Sequence, residues 1–423
     1  MKKYRENDMN EPKGNDTLKD LKGDINAGVI VAIMIIPQSM GYAMIAGLPP
    51  IIGLYSATIP MMIYAFFASS RHVSVGPVAI VSILVLSGVS AVETPGTVEY
   101  FALVLLLAFM TGVIQVLMGW LNLGYLFMSI PHSIISGFIS AAALIIGFSQ
   151  FPYLLDVQTT NGSNLFNNFI ELTKKIEDVN LPTLIISLCS MTLLIFCKNN
   201  FPRFPAQLFV IIGSIGAVFS FNLVGAGVSI VGEIPRGFPS ITIPVLNVEA
   251  AKALLPIALT IAIIGYVESI AMAKLIAKKV GYKINPNEEL VALGAANLSS
   301  AFFSGYPVAG GVSRSAVNHQ AGANSRISSF ITASLVLLIV LFLSPLFYYL
   351  PKAALASIIV VAISSLIDFK YMKEAFYENR TAGITLLITF FSSIIYGIEK
   401  GFVIGLSVVI IMYIVKLFKR NIV

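Results

Sequence analysis

Charge is what this chain has least of. Only 11% of its 423 residues are Asp, Glu, Lys or Arg, against 57% hydrophobic, and the mean hydropathy is +0.87. Soluble domains carry roughly a quarter charged residues, so this composition excludes a soluble globular fold and indicates an integral membrane protein. Cysteine is also scarce: Cys189 and Cys197 fall in one apolar segment, which offers neither a disulfide framework nor a metal-ligand spacing. The three histidines, His72, His132 and His319, are scattered near the ends of apolar segments and read as interfacial, not as ligands. Paired catalytic carboxylates, a nucleophile triad and a phosphate loop are all missing, so an enzyme reading has no footing. The longest polar loops, 153–180 and 225–250, carry no nucleotide or metal motif, and Asn161-Gly162-Ser163 reads as a turn. Residues 1–23 are polar, with Lys2, Lys3 and Arg5 and no apolar signal-peptide core, which predicts an uncleaved tail.

What is present is a succession of apolar segments, each bounded by Pro, Gly or charge. Fourteen can be drawn, at 25–45, 50–68, 76–92, 99–120, 132–150, 181–197, 206–224, 253–275, 287–304, 311–322, 326–348, 352–367, 381–397 and 401–417. Most have the length that crosses a hydrocarbon core of about 30 Å as a helix; the third and tenth are short. The net charge of +6 could suggest an acidic partner, but the distribution of the cations explains it. With the amino terminus inside, 20 lysines and arginines fall on that side and 6 on the other, with Arg314 alone within a segment. That excess is the positive-inside pattern, and an even number of crossings puts both termini in the cytoplasm.

Fourteen divides into two sevens, and the short segments are third in each. Seven is odd, so the second half would run inverted. Short, glycine-interrupted segments in corresponding positions point to an inverted-repeat transporter with its site at the membrane midplane. The two share a local grammar: "RHVSVGPVAIVSIL" (71–84) and "YPVAGGVSRSAVN" (306–318) each run from extended residues through glycine to a helix start. Pro77 suits the first helical position of one, and Gly310-Gly311 marks the start of the other.

Two such helix starts meeting at the midplane bring two positive dipole ends together, which attracts an anion. Arg314 in the first turn adds a full charge, the hydroxyls of Ser313 and Ser315 add donors, and the backbone N–H groups of Gly310, Gly311 and Val312 are expected to be free. An arginine at that depth costs at least about 2.5 kcal/mol on insertion scales, so it needs a use. The other reading makes Arg314 a strut that snorkels to an interface or pairs with a carboxylate. Glu268, in "IIGYVESIAMAKLIAKK", is the second intramembrane charge. At that depth a carboxylate either pairs, with Arg314 the obvious cation, or exchanges a proton or cation in step with anion binding. In the first segment, "IMIIPQSMGYAMIAGLPP", Pro37 breaks the helical ladder, and Gln38 and Tyr42 follow on one face. They face a ligand or simply pack and hydrogen-bond between helices; spacing leaves both open.

The blocks 27–82 ("AGVIVAIMIIPQSMGYAMIAGLPP…VGPVAIVS") and 293–333 ("LGAANLSSAFFSGYPVAGGVSRSAVNHQAGANSRISSFITA") resemble signature regions of the sulfate permease family, as does "LPKAALASIIVVAISSLID" (350–368). This family includes the solute carrier 26 anion transporters and the motor protein prestin, and the resemblance covers essentially the whole hydrophobic chain. It implies an all-α polytopic fold of fourteen spans in two inverted repeats, shared with uracil permeases. A core domain (24–122 and 251–350) would move against a gate domain (123–250 and 351–418), with cytoplasmic tails at 1–23 and 419–423. It also implies an anion held between spans 3 and 10, contacted by Gln38, Tyr42, Val78, Gly311, Ser313 and Arg314, with Glu268 as the coupling group.

The activity implied is secondary active transport of small anions by elevator-like alternating access. Sulfate with H+ symport is the leading expectation; sodium-coupled bicarbonate or dicarboxylate transport, or an uncoupled channel or exchanger, are the alternatives. No cofactor is expected beyond a coupling ion, H+ or else Na+. The expected setting is a cell-membrane homodimer without nucleic-acid partners. A neutral nucleobase is disfavoured as cargo because it would leave the charge of Arg314 unmatched. Family members commonly continue into a cytoplasmic STAS domain, whereas this chain ends at Val423; natural absence of that domain and truncation of the sequence are both open, and with them any regulation or dimer contact through that domain.

Overall fold

Asparagine and threonine side chains mark where the long helices begin. The computed structural model describes residues 14–128, 131–157, 171–201, 205–364, 366–367, 369–378 and 380–420. Its helices are α1 (Gly14–Ile45), α2 (Pro50–Ser56), α3 (Ile59–Phe67), α4 (Ala79–Ser90), α5 (Val98–Trp120), α6 (Gly124–Phe127), α7 (His132–Leu155), α8 (Leu181–Asn200) and α9 (Ala206–Ser220). They continue as α10 (Val248–Val280), α11 (Pro286–Phe302), α12 (Val312–Gln320), α13 (Ile327–Leu338), α14 (Lys352–Ser364), α15 (Phe369–Glu378), α16 (Arg380–Tyr396) and α17 (Ile398–Arg420). Thr97, Asn180, Asn247 and Asn285 each accept a hydrogen bond from a first-turn N–H, of α5, α8, α10 and α11 respectively. Such caps satisfy donors that the helix itself cannot. α10 also ends as its sequence dictates, with Lys278 and Lys279 in the last turn and Gly281 beyond it at φ 92°.

Among the described residues, eight helical stretches are long and apolar enough to cross a membrane, and four shorter apolar helices accompany them. The all-α expectation has one local exception. Val75–Gly76 (β1) pairs antiparallel with Ala309–Gly310 (β2), Val75 opposite Gly310 and Gly76 opposite Ala309. Residues 14–23 of the expected amino-terminal tail are helical and extend α1, while residues 1–13 and the expected turn at Asn161-Gly162-Ser163 lie outside the described residues.

The helices pack in two groups. In one, α5 lies along α11 and α10, α11 along α3, and α1 along α13 and α12. Gly112 and Gly294 bring α5 and α11 into backbone contact, since a Cβ on either would stand 2.8 Å from the other's carbonyl oxygen. Small residues permit this approach where lipid supplies no hydrophobic drive between helices. A buried carboxylate fixes α11 to α3: Glu289 accepts from Tyr64 Oη (2.5 Å), Ser69 Oγ (2.7 Å) and the Ser70 N–H (2.6 Å). In the other group, α7 packs on α16, α14 and α17, and α14 on α8. The principal seam between the groups is α1 against α14.

Candidate functional site

The two strands explain how two helix starts come to one place. They run antiparallel, and each leads within a few residues into a helix, β1 into α4 and β2 into α12, so the helices depart in opposite senses from a shared origin. Neither helix has a side-chain cap. Their first-turn N–H groups thus have no capping side chain, unlike those of α5, α8, α10 and α11.

The start of α4 departs from expectation. Pro77 is not in the helix; Val78, extended at φ −134° and ψ 147°, is the N-cap and Ala79 the first helical residue. For α12, Gly311 is the N-cap, as its glycines suggested, and Arg314 is the third helical residue. Two N–H groups expected to be free are not: Gly310 N–H donates to Ser269 Oγ (2.7 Å) and Gly311 N–H to the Ser74 carbonyl (2.9 Å). The available donors move two residues on, to Val312, Ser313 and Arg314. Ser315 is likewise committed, donating to the Gly311 carbonyl (2.7 Å) and accepting from the Ser74 N–H (3.0 Å).

A cavity of about 30 Å3 lies at the meeting point, lined by Tyr42 of α1, Val78 to Ile80 of α4, Glu268 of α10, Gly311 to Arg314 of α12, and Ala362 and Leu366. Tyr42, Val78, Glu268, Gly311, Ser313 and Arg314, six of the seven residues singled out from the sequence, thus share one wall. The seventh, Gln38, is 1% exposed and sits behind it. Its Oε1 accepts from Arg314 Nη1 at 3.3 Å, so it orients the guanidinium. Arg314 is itself 1% exposed, yet its Nε and Nη2 have no partner. Glu268, 7% exposed, leaves Oε2 unpaired. Among the described residues the ion pairs within 4.0 Å are Lys175–Glu171 and Lys370–Glu374, so Arg314 and Glu268 face one cavity without a direct bridge. Unpaired buried charges are costly, and here both open onto the same small space.

The cavity is open on one side. Ser313 is exposed. Leu355, Ile359 and Ala362 follow one stripe of α14, and Leu366 lies beyond its end; the first two meet α1 at Gly41, where a Cβ would stand 2.7 Å from Ile359 Cδ1, while Ala362 and Leu366 line the cavity. A larger hollow, about 470 Å3, is lined by Glu93, Glu99 and Glu249 with no lysine or arginine, which suits an anion poorly despite its size.

None of the three histidines lines the cavity, and His72, expected at an interface, is only 2% exposed. His132 meets Tyr371 edge-on, with ring centroids 4.3 Å apart. His72 lies in the loop before β1, with Nε2 3.0 Å from the Ala323 carbonyl and Nδ1 3.2 Å from Tyr282 Oη. The carbonyl can only accept, so Nε2 carries the proton; burial lowers the pKa of this ring. Cys189 and Cys197 are both free.

This fold is that of a polytopic membrane protein. The chain belongs to the sulfate permease family, whose family model matches residues 21–390. It is 35% identical over 394 residues to "Probable sulfate transporter 4.2" of Arabidopsis thaliana, covering 91% of this chain and 58% of that protein. It is 34% identical over 427 residues to the "Sodium-independent sulfate anion transporter" of Bos taurus, covering 92% and 69%. Among solved structures it resembles the murine Solute Carrier 26 family member A9 anion transporter in the inward-facing state, with a TM-score of 0.87, 26% identity and coverage of 94% and 69%. The transmembrane domain of the cyanobacterial bicarbonate transporter BicA shares the fold at a TM-score of 0.82 and 22% identity, covering 90% and 97%. The chain thus spans a little over half the length of its Arabidopsis relative.

Proposed function

We propose that this chain carries small inorganic anions across a membrane as a secondary active transporter, with sulfate as substrate and protons as the coupling ion. One observation carries the reading: a guanidinium that is 1% exposed keeps Nε and Nη2 unpartnered at a cavity where two uncapped helix starts meet. Such an arrangement stabilises negative charge and leaves a neutral ligand unmatched. The names of the Arabidopsis and bovine relatives support sulfate, and the bovine name supports coupling without sodium.

In this reading Tyr42, Val78, Gly311, Ser313 and Arg314 contact the anion, Gln38 positions Arg314, and Glu268 binds the coupling proton. The chain crosses the membrane fourteen times with both termini in the cytoplasm, and works as a homodimer in the cell membrane. Segments 24–122 and 251–350 slide as an elevator against 123–250 and 351–418. With that topology the Leu366 end of the cavity faces the cytoplasm, and the Gly41–Ile359 contact closes the outer side. A second reading rests on the unpaired oxygen of Glu268, which would also suit Na+, with bicarbonate or a dicarboxylate as cargo.

Flux into proteoliposomes tests the proposal. Saturable uptake of radiolabelled sulfate driven by an inward proton gradient is expected. Uptake that follows a sodium gradient supports the second reading, and large anion currents without coupling would make the protein a channel or exchanger.

A further inference from the structure

The half-site formed by α12 hangs on residues 305–311, an extended run of which only Ala309–Gly310 pairs with another strand. Backbone groups of this run are held by side chains from separate helices. The Tyr306 N–H donates to Ser56 Oγ (2.9 Å), and its carbonyl accepts from Ser300 Oγ (2.6 Å). The Gly310 N–H donates to Ser269 Oγ (2.7 Å). At Val308 one residue does both jobs. Asn297 Oδ1 accepts from the Val308 N–H at 2.8 Å, and Asn297 Nδ2 donates to the Val308 carbonyl at 3.1 Å. The carboxamide therefore presents the donor and acceptor that a neighbouring strand would, at the residue next to β2.

The orientation of that amide is not free to flip. Gln115 Nε2 lies 3.2 Å from the Ala262 carbonyl, which can only accept, so the amino group of Gln115 faces α10 and its Oε1 faces Asn297. Asn297 Nδ2 must then point at that oxygen (2.9 Å), which turns Oδ1 toward Val308. Asn297 and Gln115 are both 0% exposed, so water does not substitute for either. The chain of bonds runs from α10 through α5 and α11 to the strand that delivers Gly311 and Arg314.

We propose that Asn297, oriented by Gln115, is a positioning residue for anion binding: it sets where the Gly311–Arg314 helix start stands in the cavity without touching the ligand. The inference rests on the anion-site reading above. A leucine at 297 keeps the γ-branched shape and carries no charge, so N297L leaves both polar groups of Val308 buried and unpaired without adding a repulsive carboxylate near the anion.

The test is sulfate uptake by proteoliposomes of the parent, N297L and Q115L, each normalised to folded, monodisperse protein. The expected result for N297L is a tenfold or greater rise in the sulfate concentration at half-maximal uptake, with a smaller change in maximal rate. Q115L should shift it in the same direction by less, and decides the matter alone if N297L does not fold. Half-saturation unchanged from the parent, or a loss confined to the maximal rate, overturns the positioning role. A parent that shows no saturable sulfate uptake instead defeats the anion-site reading, and this role with it.

Discussion

Arg314 Nη1 and Gln38 Oε1 stand 3.3 Å apart, the one hydrogen bond on a buried guanidinium that leaves Nε and Nη2 free. Gln38 belongs to α1 and Arg314 to α12, so this contact aims a charge near one end of the chain using a side chain near the other, 276 residues away. A long bond of this kind contributes about 0.5–1.5 kcal/mol. Q38L should therefore weaken sulfate binding roughly two- to tenfold while leaving the charge in place, as read by the half-saturation constant of uptake. An unchanged constant would make the contact incidental.

Glu268 faces the same cavity with Oε2 unpaired. Glutamine preserves its size and removes its exchangeable proton. E268Q should leave exchange of labelled sulfate across the membrane measurable while abolishing uptake driven by a proton gradient, and should flatten the dependence of transport on pH. A variant whose pH profile and gradient response match the parent's would remove Glu268 from the coupling mechanism.

The seam between the two helix groups can be locked. A Cβ at Gly41 would lie 3.9 Å from Leu355 Cβ, within the separation of about 3.5–4.5 Å that a disulfide needs. The flexible end of Ile359 must turn aside to admit it. With Cys189 and Cys197 replaced by serine, G41C/L355C should cross-link under mild oxidation and stop uptake, and reductant should restore it. A cross-linked protein that still transports would show that α1 and α14 do not slide past one another.

Much of the site was legible in the sequence because a charge in an apolar chain is conspicuous. Arg314, Glu268 and the Gly310-Gly311 helix start needed only depth and helix-end chemistry, and they share one cavity. Pro77 misled by two residues because proline favours the first helical position but also extended chain, and here it precedes an extended N-cap at Val78. The N–H groups of Gly310 and Gly311 looked free because their acceptors, Ser269 of α10 and Ser74 beside β1, lie 41 and 237 residues away in sequence and reach them only in the folded chain. Asn297 left no signal at all, since one asparagine in an apolar helix is indistinguishable from a helix-helix contact until its partners are known. Glu289 was similarly hidden: an acid in the first turn of α11 suits the helix dipole on any surface, and only the packing against Tyr64, Ser69 and Ser70 shows it buried.

The central claim is that Arg314 holds the anion, and equilibrium binding tests it most directly. Titration calorimetry of purified protein with sulfate, at fixed pH and ionic strength, should give saturable binding in the parent. In R314A the affinity should fall by roughly ten- to a hundredfold, the loss of charge-assisted bonds contributing about 1.5–3 kcal/mol. Sulfate binding to R314A with the parent's affinity would contradict the account and leave the arginine a strut.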